Sequence, residues 1–136
     1  MKNVFSHLRV SSEYSITQGL LTINQIVESA VKHSIPSVAL TDRSNMFGLV
    51  KFFNKCEASG IKPISGSSIR VIFDDDEQSH ELLCLAKTNT GHKNLMRIIS
   101  SAHNNYSYQS PIINFKDLAK LKDDIIVISG GKDSHI

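Results

Sequence analysis

The sequence predicts an α/β fold of short parallel strands alternating with helices and interrupted by one antiparallel hairpin. Three observations carry it. Short apolar runs of strand length alternate with stretches whose apolar residues recur at helical spacing, and the resulting β-α-β order requires parallel strands. Polar, turn-rich clusters stand at 11–15 and 41–45, each after a strand-like run, where α/β proteins present ligand-binding loops. The acidic link DDDEQS at 74–79 joins two strand-like runs directly, which marks a hairpin with a solvated turn.

Taken in order, residues 3–10 read as a first strand. Its period of two sends His7 and Arg9 to one face and Leu8 and Val10 to the other. After the turn-rich SSEYSITQG at 11–19, Thr22 with Gln25 three residues on forms a capping-box pattern. Ile23, Ile26, Val27, Ala30 and Val31 then repeat as a helix that ends before Pro36. Residues 37–40 form a buried strand that delivers Thr41, Asp42 and Arg43 to its carboxyl end. A second helix is expected over 46–58, closed near Gly60, with Met46, Phe47, Phe52 and Phe53 as a core stripe. Residues 61–65 begin a third strand, and after Gly66 the runs 68–73 and 80–86 form the hairpin. A helix over 90–103, a loop over 104–111, a short helix over 115–121 and a last strand over 125–129 complete the chain.

Composition narrows the class. With 136 residues, 40% hydrophobic and 21% charged, the chain has the make-up of one soluble domain. A formal net charge of +2 demands neither a nucleic-acid nor a membrane partner. No run approaches the roughly 20 apolar residues of a membrane span, and no secretory leader opens the chain, so a cytoplasmic protein is expected. Cys56 and Cys84 have apolar neighbours and no CxxC context, which predicts buried thiols. Neither a phosphate-cradling glycine loop nor a Ser-His-Asp spacing is present.

Four segments in order resemble one family. FSHLRVSSEYS at 5–15, VALTDRSNMFGLVKFF at 38–53, SGIKPISG at 59–66 and LLCLAKTNTGHKNLMRIIS at 82–100 are similar to the PHP (polymerase and histidinol phosphatase) domain. The form resembled is the one that opens the alpha subunit of bacterial replicative DNA polymerase III. The resemblance implies a distorted (β/α)7 barrel, of which residues 1–136 would be the N-terminal part of a single domain, with the polymerase domains absent. It implies DNA-directed DNA synthesis, a nucleotidyltransferase activity, for a complete polypeptide whose polymerase domain uses Mg. Its implied partners are the proofreading exonuclease (epsilon) subunit, other replicative subunits, and DNA through the complete polymerase.

Metal-bearing relatives carry His-x-His on the first strand, Thr-Asp-His after the second, and a glutamate after the third. Here His7 and Asp42 are kept, while Arg9, Arg43 and Ser68 stand at the other anchors, with Ser11 and Glu13 beside the first. Arginine has no lone pair to donate, so the metal centre reads as dismantled and no residue is assigned a catalytic role. Arg9 and Arg43 are expected to occupy the cation's place and to pair with Asp42 and Glu13. The expected function is therefore a non-catalytic scaffold and docking surface for the exonuclease subunit, with no cofactor in this segment. The alternative is an active metal-dependent phosphoesterase or proofreading exonuclease. A third reading is a module that binds phosphate through Arg9 and Arg43.

Overall fold

The computed structural model describes residues 5–74, 78–104 and 110–129. The first helix, α1 (Ile23–Lys32), starts where the sequence places it. The Gln25 backbone N–H donates to Thr22 Oγ1 at 3.3 Å, and the Thr22 N–H donates back to Gln25 Oε1 at 2.9 Å, which satisfies two orphan donors of the first turn. Ile23, Ile26, Val27 and Ala30 are buried, while Val31 falls on the exposed border of the stripe. Strand β1 (Ser37–Leu40) follows.

Helix α2 (Leu49–Ala58) begins three residues later than expected. The Phe47 N–H bonds Asn45 Oδ1, so residues 45–48 turn instead of winding, and Phe47 is left 75% exposed outside the predicted core stripe. Leu49, Phe52 and Cys56 form the buried face in its place. A Cβ on Gly48 would stand 2.7 Å from the Tyr14 ring, so the loop at 14 and the start of α2 share space that only glycine leaves.

The two strands expected on either side of Gly66 are one strand, β2 (Lys62–Ile72). Gly66 does not break it. A side chain there would meet Leu85 at 2.6 Å and Thr41 at 2.8 Å, so glycine lets the neighbouring strands close in. Strand β3 (Ser79–Ala86) pairs antiparallel to β2 as predicted, and β1 pairs parallel to β2 from Ser37↔Lys62 to Leu40↔Ser65. Helix α3 (Asn89–Asn104) leads to β4 (Ile113–Asn114), a two-residue strand with no clear sequence signal, then α4 (Phe115–Lys120) and β5 (Ile125–Ser129). β5 runs antiparallel to β3, a second antiparallel pairing beyond the hairpin. The loop expected at 104–111 falls largely outside the described residues, as does the tip of the acidic turn.

The sheet order is β1-β2-β3-β5, and β4 takes the edge of β2 beyond the reach of β1. One core packs α1 and α2 on Val38 and Leu40, and a second packs α3 and α4 on Ile69, Val71, Leu82 and Cys84. The opposite face carries Ala39, Ile64, Leu83, Leu85 and Ile128. That face is the inner one.

Candidate functional site

The first segment is not a strand. Within its described part, residues 5–10, a single parallel bridge joins His7 to Val38, and residues 1–4 lie outside the described set. Ala39 N–H donates to His7 O at 2.9 Å and Thr41 N–H to Val10 O at 2.8 Å, three residues on one side for two on the other. The extra residue bulges and breaks the alternation. His7 and Arg9 therefore do not share a face. His7 is exposed, meets Phe5 edge-on at 4.7 Å, and borders a small hollow with Ile26 and Ala30 of α1. Arg9 reaches the inner face and pairs with Glu81 of β3.

Asp42 is the centre of the loops. Only 1% exposed, its carboxylate accepts from the Ser12 N–H at 2.7 Å, the Ser12 hydroxyl at 2.8 Å and the Ser15 hydroxyl at 2.7 Å. Its carbonyl accepts from the Ser67 hydroxyl at 2.7 Å and the Ser68 N–H at 3.2 Å. The Arg43 N–H donates to Ser15 Oγ at 3.0 Å, and His103 of α3 holds Ser44 O at 2.8 Å. One residue thus joins three segments: its carboxylate ties the 12–15 turn to the end of β1, and its backbone carbonyl ties that end to the middle of β2.

The expected ion pairs are corrected. Glu13 is exposed and lies 3.8 Å from Lys51, Arg9 takes Glu81, and Asp42 is satisfied by serines. The Arg43 guanidinium has no hydrogen-bond or ion-pair partner among the described residues. The physical reason is the alternation of an extended chain, which sends Asp42 and Arg43 to opposite faces as it does Leu40 and Ala39. Asp42 turns outward under the 12–15 loop, whereas Arg43 bridges Ser68, whose β3 partner Leu83 packs on the inner face.

Sequence reasoning read Ser12 and Ser15 only as turn residues, without their bonds to Asp42, and missed Arg70 and Glu81. Arg70 stands opposite Glu81 in the hairpin and two residues from Ser68, so the period of two along β2 was the available signal. Its guanidinium nitrogens go to the Ser110 and Ser79 hydroxyls.

These donors do not fit a divalent cation. The inward residues at the mouth are Arg9, Arg43, Ser68, Arg70 and Glu81, a set with one carboxylate and no imidazole. Among the described residues no three His, Cys, Asp or Glu side chains converge. A larger hollow, about 730 Å³, lies between Leu8, Phe53, Ile64, Leu85 and Ile128, and no anchor residue lines it. Cys56 and Cys84 are buried and free, as expected, and burial pushes their thiols up to about 11 and about 12.

A family model described as the PHP domain matches residues 7–136. The chain belongs to the PHP family. This PHP chain is 41% identical over 131 residues to DNA polymerase III subunit alpha of Escherichia coli (strain K12), a match covering 94% of the chain and 11% of that protein. The corresponding subunit of Bacillus subtilis (strain 168) is 35% identical over 133 residues, 97% of the chain and 12% of that protein. The chain therefore spans about an eighth or less of these relatives. Among solved structures, an amidohydrolase from Chromobacterium violaceum superposes with a TM-score of 0.57 at 20% identity, over 75% of this chain and 34% of that one. A Bifidobacterium adolescentis protein assigned as a metal-dependent phosphoesterase gives 0.55 at 19%, over 73% and 32%. Both are likenesses of fold. Among the described residues no helix is long and apolar enough to cross a membrane.

Proposed function

We propose that this chain is the N-terminal part of a single PHP domain in the alpha subunit of a replicative DNA polymerase. There it acts as a metal-free, non-catalytic scaffold and as a docking surface for the proofreading exonuclease subunit. The observation that carries the reading is the match to alpha subunits over 94% of the chain, combined with arginines at two family ligand positions. The serine-locked Asp42 supports it, because a carboxylate already saturated with donors holds the loops without a cation. On this reading the chain is cytoplasmic. The magnesium chemistry of DNA synthesis belongs to polymerase domains outside these residues, and DNA and the other replicative subunits are met through the complete polypeptide.

Titrating the purified chain with the cognate exonuclease subunit in metal-free buffer tests this reading. Saturable binding at micromolar or lower concentration is expected. A cooperatively folded chain that shows no binding would remove the docking role from these residues. Hydrolysis of a phosphodiester that tracks bound manganese or zinc would establish the phosphoesterase alternative instead.

A further inference from the structure

We draw no further inference here: the strongest candidate, the apolar hollow of about 730 Å³ between Leu8, Phe53, Ile64, Leu85 and Ile128, carries none, because nothing in the structure shows what covers it.

Discussion

Asp42 and Arg43 are adjacent in sequence, and the structure treats them in opposite ways. The aspartate is buried, receives three hydrogen bonds on its carboxylate and ties three segments together. The arginine is half-buried, bridges Ser68 on the inner face and has no side-chain partner among the described residues. A charge is buried without an opposite charge where enough donors replace water, and a loop built of serines supplies them. A guanidinium is harder to satisfy, because its donors spread over a wide fork, and here it stays at the mouth.

The contrast makes a large and a small expectation. Asp42→Ala should cost about 3 kcal/mol, because Ser12 and Ser15 lose their acceptor inside the fold. Arg43→Ala should change stability by no more than about 0.5 kcal/mol. Urea unfolding of both variants checks the pair. Equal costs would mean that the two residues act as one unit after all.

Next in size is Gly19→Ala. A Cβ there would fall 1.7 Å from Ser12 O, the residue whose N–H and hydroxyl both serve Asp42. Forcing the two apart should cost about 2 kcal/mol and weaken the serine cage without touching a charge. An alanine variant with wild-type urea midpoint would show that the loop does not need its close approach.

The buried thiols give a pH-dependent test of the packed faces against the open mouth. Burial holds Cys56 and Cys84 above their ordinary value of 9.0, so the unfolded chain ionises first. The thiols should leave stability unaltered below pH 9 and lower it as pH rises from 9 towards 11 or 12. Unfolding at stepped alkaline pH, with a Cys56→Ala, Cys84→Ala chain as reference, isolates their share. A native chain whose thiols react with a disulfide reagent as fast as the unfolded chain would refute the burial.

Smallest of all should be Arg9→Ala. Arg9 is half-exposed beside a less exposed Glu81, a pair in the range that contributes about 1 kcal/mol or less in water. A loss well beyond that in denaturant unfolding would make the mouth a structural element.

Much of the fold was legible in the sequence. The capping box at Thr22, the buried thiols, the hairpin and the final strand follow from local pattern and appear as expected. The departures have physical causes. Phe47 looked like core because its spacing is helical, but an Asn45 turn delays the helix. Gly66 looked like a break because glycine weakens strands, but tertiary closeness to Leu85 and Thr41 requires it. At the site, the anchor positions and the residues that stand at them came from the resemblance to the family, not from local pattern. The partners could not, because Glu81, Ser12 and Ser15 reach them only through the bulge at 7–10 and the loop over Asp42. Tertiary geometry, not local pattern, chose those pairs.

The most direct test of the central claim, that serines and arginines have replaced a metal centre, is a calorimetric titration of the purified, metal-stripped chain with manganese at neutral pH. The account predicts no saturable heat and no rise in melting temperature. One equivalent of manganese bound, with the signal lost in Asp42→Asn, would contradict it.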